Sequence, residues 1–386
     1  MKKNSGFGII GIIIIIIITS LVSSIATGVI ILNNPLSDIS SDKNKISNDK
    51  ELQEFIEVYQ TLVDKYYDDI DKEGMLNAAE AAMTDFLGDK YTTYLSDTEY
   101  KEIIDELSGT YNGIGVSIDN NKIISVTKDS PASKAGILEN DIIISVNNIN
   151  VENSNGSDIG EIIKNNTNNI VNLEINRNGE ILNFSINKED LINPSISYQI
   201  LDNTSIGYIY IKNFSENLSE QISESLKSLE SKRIESLIID VRNNVGGYLS
   251  AAEETASLFL EKGKIIYSLE SNGNKYTYND KTKEKRTYPI VVLINNNTAS
   301  AAEILAATLK ESYNAILVGT KSYGKGKVQQ VVSLNNGSSV KYTSAKWLTP
   351  NGTCIDGIGI NPDYNVLYSV ENTYDSQLEK AIELLN

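Results

Sequence analysis

From about residue 191 onward, short apolar runs alternate with amphipathic stretches, and that alternation confines the second half of the chain to an α/β layer structure. Residues 206–211, 237–241, 290–294 and 316–318 read as strands, and 217–231, 249–260 and 300–310 as helices. A last short helix is expected over 376–385. Upstream the period shortens. Ile114, Val116 and Ile118 alternate, as do Ile124 with Val126 and Ile142 with Ile144, which predicts short strands. A short helix over 130–137 ends at Gly136, an amphipathic stretch covers 159–163, and strands follow near 171–175 and 181–186. This is a compact β-rich domain over 110–190. Before it, Leu52, Phe55, Ile56, Tyr59, Leu62, Val63 and Tyr66 recur at helical spacing behind a capping Asp49. Leu76, Ala79, Met83 and Phe86 mark a second helix, and a Ser96-x-x-Glu99 capping box opens a third. Residues 50–109 thus form a small helical region, its charges a solvated face, with a homodimer contact as the alternative.

Met1-Lys2-Lys3 precedes an apolar run over 6–32 that contains seven consecutive isoleucines at 12–18. Such a run is long enough to span a hydrocarbon core of about 30 Å, and the two lysines favour the cytoplasmic side. The reading is a single transmembrane helix within 1–32, a polar linker over 33–49, and an extracytoplasmic remainder at the cell membrane. A cleaved signal peptide is the alternative, because Ser23, Ser24, Ala26 and Thr27 are small enough for a peptidase.

Composition narrows the chemistry. Lys and Arg total 34 against 51 Asp and Glu, a net charge of −17, so no basic footprint exists for a nucleic acid. The single Cys354 closes no intrachain disulfide and builds no thiolate cluster. Histidine is absent, which removes Ser-His-Asp and Cys-His hydrolases and imidazole metal sites together. Acid–base work falls to Lys, Asp, Glu or Tyr, and no metal or organic cofactor is implied.

Ser300 stands where an apolar strand turns into a helix N-terminus, a place where free N–H groups and the helix dipole stabilise an oxyanion. The competing reading of Ser300-x-x-Glu303 is an ordinary capping box. A serine nucleophile without histidine needs a lysine base, yet an unperturbed lysine is neutral only about one time in a thousand near pH 7. A working base needs its pKa brought to about 7–8. Lys325, between Gly324 and Gly326, is the candidate; a solvated turn lysine is the alternative. Gly319-x-x-x-x-Gly324-Lys325 also matches most of a phosphate-binding loop, but Gly326 occupies the position that requires Ser or Thr. Gly113-x-Gly115 begins a dinucleotide fingerprint whose third glycine is replaced by Ile118. Residues 240–247, Asp-Val-Arg-Asn-Asn-Val-Gly-Gly, follow an apolar strand, so Gly246 and Gly247 aim N–H groups at an anion or form a tight turn.

Together these motifs resemble the C-terminal processing peptidases, serine endopeptidases related to the tail-specific protease. The resemblance spans about 50–386 and keeps the family's motif order. Residues 111–116 (YNGIGV) and 130–137 (SPASKAGI) are similar to its PDZ domain, 240–247 to its glycine loop, 298–305 (TASAAEIL) to its nucleophile helix, and 323–329 (YGKGKVQ) to its lysine loop. The ending 346–363 also fits. The resemblance implies a multidomain α/β protein with a serine peptidase core over 191–386. It implies Ser300 as nucleophile, Lys325 as general base, Gln329 as the residue orienting the lysine, and the N–H groups of Gly246 and Ala301 as the oxyanion hole. It also implies that Gly113, Ile114, Gly115 and Val116 hold a substrate's terminal carboxylate while the peptide adds a strand beside 115–118, favouring apolar C-terminal tails. Two departures are Val245, where proline is common, and Asn140, where glycine is usual; asparagine tolerates left-handed geometry. A catalytically silent surface receptor that holds protein tails through its PDZ domain is the reading from another class, and an intact Ser300, Lys325 and Gln329 argue against it.

Overall fold

The computed structural model describes residues 49–386 except 284, 335 and 369–374. The helix expected within 1–32 and the linker as far as residue 48 lie outside the described residues. Among the described residues no helix is long and apolar enough to cross a membrane. The chain divides into two compact units, one ending at Lys90 and one running from Tyr91 to Asn386. The first contains α1 (Lys50–Lys65) and α2 (Lys72–Phe86). Each opens on an aspartate: Asp49 accepts from the Leu52 N–H at 3.0 Å, and Asp71 from the Gly74 N–H at 2.9 Å.

The second unit begins with β1 (Thr93–Leu95) and α3 (Asp97–Ser108). α3 starts at the expected capping box, with Ser96 N–H donating to Glu99 Oε2 at 2.9 Å, and stops at Gly109 with φ +70°. The sequence groups this helix with α1 and α2. In the structure it goes with the second unit, because β1 pairs antiparallel with residues 339–341.

β2 (Thr110–Gly113) leads into the β-rich domain: β3 (Val116–Asp119), β4 (Lys122–Val126), α4 (Pro131–Ala135), β5 (Ile142–Val146), β6 (Ile149–Asn150), α5 (Gly156–Lys164), β7 (Ile170–Arg177) and β8 (Glu180–Asn187). β9 (Glu189–Ile192) then returns to pair with β2. The sheet runs β3-β4-β5-β7-β8, and Ile123, Ile143, Ile159, Val171 and Ile175 fill its core with no exposed surface. Asn140 takes φ +72°, so it does adopt the left-handed geometry that a glycine would supply. Arg177 grips the buried Asp141 with two bonds of 2.7 Å. Burial pushes the Asp141 carboxyl up, but hydrogen bonds from Arg177 and the Leu138 N–H, with the guanidinium charge, hold it below the usual range.

The rest of the chain supplies, in order, β10 (Ile196–Ile200), β11 (Ile206–Ile211), α6 (Leu218–Ser231), β12 (Ser236–Asp240), α7 (Leu249–Ser257), β13 (Ile265–Ser271), β14 (Asn274–Asn279) and β15 (Ile290–Ile294). After these come α8 (Ala301–Thr308), β16 (Ile316–Gly319), β17 (Lys327–Ser333), β18 (Ser339–Leu348), β19 (Tyr364–Asn365) and α9 (Ser376–Leu385). One sheet has the order β10-β11-β12-β15-β16-β19 and is parallel apart from β10. Every residue of β12 and β15 is buried, as unbroken apolar strands require when both faces are covered. α9 covers one face, packing Leu378, Ala381 and Ile382 onto Ile238, Val291, Leu293 and Val318. α6 covers the other, where a side chain at Gly207 would come 3.3 Å from Leu229. A second sheet runs β1-β18-β13-β14, with β17 paired to β18.

β12, β15 and β16 are parallel neighbours, so the loops leaving their C-terminal ends emerge along one edge, the usual place for a site in an open α/β sheet. At the start of the first loop, Arg242 Nη2 lies 2.6 Å from Asp240 Oδ2, and its Nη1 reaches Asp375 at 2.9 Å and Gln377 at 3.0 Å. The loop is thereby tied to the beginning of α9.

Breaking a buried ion pair from one side strands the other charge. Arg177→Met is expected to cost the β-rich domain about 3 kcal/mol in denaturant melts at neutral pH. Because the Asp141 pKa is lowered on folding, the pair's contribution is complete above the ordinary aspartate pKa of about 4 and fades as pH falls through the folded value. The wild-type advantage over the variant should therefore shrink in acid.

Candidate active site

The turn from β15 into α8 is laced to the glycine loop after β12. Thr298, fully buried, donates its hydroxyl to Val241 O at 2.8 Å and accepts the Asn295 N–H at 2.9 Å. The Ala299 N–H donates to Asn244 O at 2.9 Å. Ser300 follows with φ +56° and ψ −120°, a conformation that costs a side-chain-bearing residue about 1–3 kcal/mol. Three bonds hold it there. Its N–H donates to Glu303 Oε2 at 2.9 Å, and its carbonyl accepts the N–H groups of Glu303 at 2.8 Å and Ile304 at 3.0 Å.

The glycine loop presses directly on this serine. Gly246 has φ +105°, and a Cβ there would lie 2.8 Å from Ser300 Cβ and 3.1 Å from the Ala301 nitrogen. Only glycine fits. Asn244, fully buried, fixes the loop by donating Nδ2–H to Ile211 O at 2.8 Å and accepting the Gly246 N–H on Oδ1 at 2.8 Å. Of the two N–H groups expected to face an oxyanion, Ala301's lies at the first position of α8, where no intrahelical acceptor exists. Gly246's sits beside Ser300 but is engaged with the Asn244 side chain.

The lysine loop arrives from β16. Ser322 Oγ donates to Glu303 Oε1 at 2.5 Å, the Gly324 N–H donates to the same oxygen at 2.7 Å, and the Lys325 N–H donates to Oε2 at 2.9 Å. The Tyr323 N–H reaches Thr298 O at 3.0 Å. Ser300 and Lys325 thus bond the same carboxylate oxygen at 2.9 Å each, so their backbone nitrogens lie no more than twice that distance apart. Behind the loop, the buried Trp347 donates Nε1–H to Lys325 O at 2.9 Å, and the Gly357 N–H donates to Gly324 O at 2.9 Å. Burial pushes the Glu303 carboxyl up, while its hydrogen bonds from Ser322, Lys325, Gly324 and Ser300 pull it down; the net direction is upward.

The Lys325 ammonium lies 5.0 Å from the centroid of the Tyr91 ring, and Lys327 lies 5.8 Å from the same ring. Among the described residues no hydrogen bond joins the Lys325 amine to the Ser300 hydroxyl. Gln329 is on β17, at a register shift against β18, and donates Nε2–H to Thr343 Oγ1 at 3.3 Å. In the β-rich domain, Gly113, Ile114 and Gly115 are buried at the entry to β3. Ile114 O accepts the Ala132 N–H at 2.8 Å and Gly115 O the Thr127 N–H at 2.9 Å, while Val116 begins the strand half-buried. α5 presses on β3 further along, where a Cβ at Gly156 would meet Ile118 O at 2.2 Å. Sequence reading held no sign of Tyr91, included Asn244 and Trp347 in motifs without a role of their own, and offered Glu303 only as half of a capping box.

Residues 205–366 match the profile of peptidase family S41, and residues 122–177 that of the PDZ domain. Over 354 residues the chain is 36% identical to the carboxy-terminal processing protease CtpA of Bacillus subtilis (strain 168), an alignment covering 90% of this chain and 75% of that protein. The chain belongs to peptidase family S41. CtpB of the same organism is 38% identical over 326 residues, covering 81% of this chain and 67% of CtpB. Among solved structures, the photosystem II D1 C-terminal processing protease shares the fold, with a TM-score of 0.50 at 23% identity over 86% of this chain and 90% of that one. The protein is accordingly a serine-type endopeptidase of the carboxy-terminal processing group, built from a PDZ domain and an S41 peptidase core.

Because a methyl at Gly246 meets Ser300 Cβ in a left-handed backbone, Gly246→Ala is expected to lower peptidase turnover at least about tenfold. The PDZ domain should keep its denaturant midpoint, and the two readings together separate local damage at the site from general unfolding.

Proposed function

We propose that Ser300 is the nucleophile and Lys325 the general base of a Ser-Lys peptidase site. The observation that carries this reading is the shared carboxylate oxygen of Glu303, which holds the backbones of Ser300 and Lys325 side by side although they are far apart in sequence. The four-carbon lysine stem is long enough for a gap of this size, and the amine turns from the Tyr91 ring toward the serine hydroxyl. Neutral Lys325 takes the hydroxyl proton as Ser300 attacks a peptide carbonyl. The C–O bond forms and the carbonyl oxygen gains the negative charge. The Ala301 N–H and the α8 dipole face that charge, joined by the Gly246 N–H once it turns from Asn244 Oδ1. Protonated Lys325 then delivers its proton to the leaving amine as the C–N bond breaks, and water hydrolyses the acyl-enzyme. Gln329, two residues beyond Lys327 on the same hairpin, orients the lysine from the β17 side.

The PDZ domain selects protein substrates by their apolar C-terminal tails, using the segment from Gly113 to Val116. Residues 6–32 anchor the protein in the cell membrane with the catalytic part extracytoplasmic, consistent with Lys2 and Lys3 ahead of the apolar run.

Incubation of the full chain with a loosely folded protein tests the site. Ser300→Ala and Lys325→Ala should remain folded yet lose cleavage by at least about 1,000-fold. An intact substrate with wild-type protein, alongside retained tail binding, would defeat the peptidase reading. Since the base acts as the neutral amine, turnover should rise with pH along an ascending limb; a flat profile from pH 6 to 9 would remove Lys325 from that role.

A further inference from the structure

Capping explains only part of what Glu303 does. A capping glutamate needs one bond, to the N–H of the residue before the helix, and Glu303 makes it to Ser300 at 2.9 Å. Its other three donors, the Ser322 hydroxyl and the N–H groups of Gly324 and Lys325, come from a loop about twenty residues downstream that helix capping does not require. The side chain has no exposed surface, so it touches neither solvent nor substrate. We infer that Glu303 is a positioning residue for the peptidase reaction, fixing the separation of Ser300 from Lys325 through their backbones. The inference rests on the Ser-Lys reading given above.

The arrangement divides the labour between the two oxygens. Oε1 takes Ser322 and Gly324, and Oε2 takes Ser300 and Lys325. The loop is also clamped from its far side, by Trp347 on the Lys325 carbonyl and by Gly357 on the Gly324 carbonyl. Trp347 and Gly357 therefore set where the loop sits relative to the second sheet and the segment over 355–360. Glu303 sets where it sits relative to the nucleophile. In Glu303→Gln, an NH2 group replaces one oxygen. The Ser322 hydroxyl, which already accepts the Ile360 N–H at 2.7 Å, has a second lone pair for that NH2, but the Gly324 N–H then meets a donor. The alternative orientation sets the NH2 against Ser300 and Lys325 instead. Either way the bridge loses an acceptor while the side chain keeps its shape.

Two measurements on the full chain test this. Amide hydrogen exchange is read at Ser300, Gly324 and Lys325, and kcat and KM are determined on a loosely folded protein substrate, corrected for folded fraction by circular dichroism. Glu303→Gln should accelerate exchange at least about tenfold at Gly324, or at Ser300 and Lys325 where the NH2 takes the other side, leave the amides of β12 unchanged, and lower kcat about ten- to a hundredfold with KM within about twofold. Glu303→Asp, which keeps the charge but draws it back by one carbon, should give the same pattern and serves if the glutamine protein fails to fold. Unchanged exchange in the loop overturns the inference, as does faster exchange with wild-type kcat. The exchange arm needs no catalysis, so cleavage that persists in Ser300→Ala would defeat the Ser-Lys reading while the bridge itself is still decided.

Discussion

A carboxylate taken out of water is unfavourable by several kcal/mol unless its lone pairs find donors, and Glu303 is buried at the centre of the peptidase core. It is tolerated there because its oxygens collect a hydroxyl and three backbone N–H groups. No single element offers such a set. The helix start contributes one donor and the loop after β16 contributes the others, so the burial is stable only when both have arrived. The same requirement draws two remote stretches of chain into one register.

The sheet makes that convergence attainable. Three parallel neighbours, β12, β15 and β16, deliver a glycine loop, a strained serine and a lysine loop to one edge. The strain at Ser300 is held by bonds on both sides of the residue, to Glu303 and Ile304 within the helix and from the Ala299 N–H to Asn244 O just before it. Gly246 lies against Ser300 so closely that its missing side chain is a condition of the geometry. The site is thus shaped by backbone placement, with the Lys325 ammonium lying over the Tyr91 ring.

Much of this was readable before any coordinates. Ser300 betrayed itself by standing between a strand and a helix, and Gly246 and Gly247 by following an apolar strand. Strands with unbroken apolar composition, such as 290–294, and helices with capping residues, such as Ser96 and Asp49, form where the periodicity places them. Two strands of the second sheet escaped notice because they are polar and largely outside the core: 327–333 mixes Lys, Gln and Ser with valines, and 274–279 carries only tyrosines as apolar bulk. β1 was hidden for another reason, since a three-residue strand has too little period to register, and its pairing with 339–341, with the Glu216 N–H on Leu107 O, ties α3 to the second unit. The occupant of the Gly246 N–H was also illegible. Spacing shows where a donor can point, but not that an asparagine two residues earlier turns its own oxygen toward it.

The clasp made by Arg242 gives the helix over 376–385 a duty beyond covering the sheet. Its guanidinium reaches from the foot of the glycine loop to Asp375 and Gln377, so the helix start braces the loop that lies against Ser300. Unwinding the beginning of α9 would therefore slacken the floor under Ser300 without touching any residue beside it.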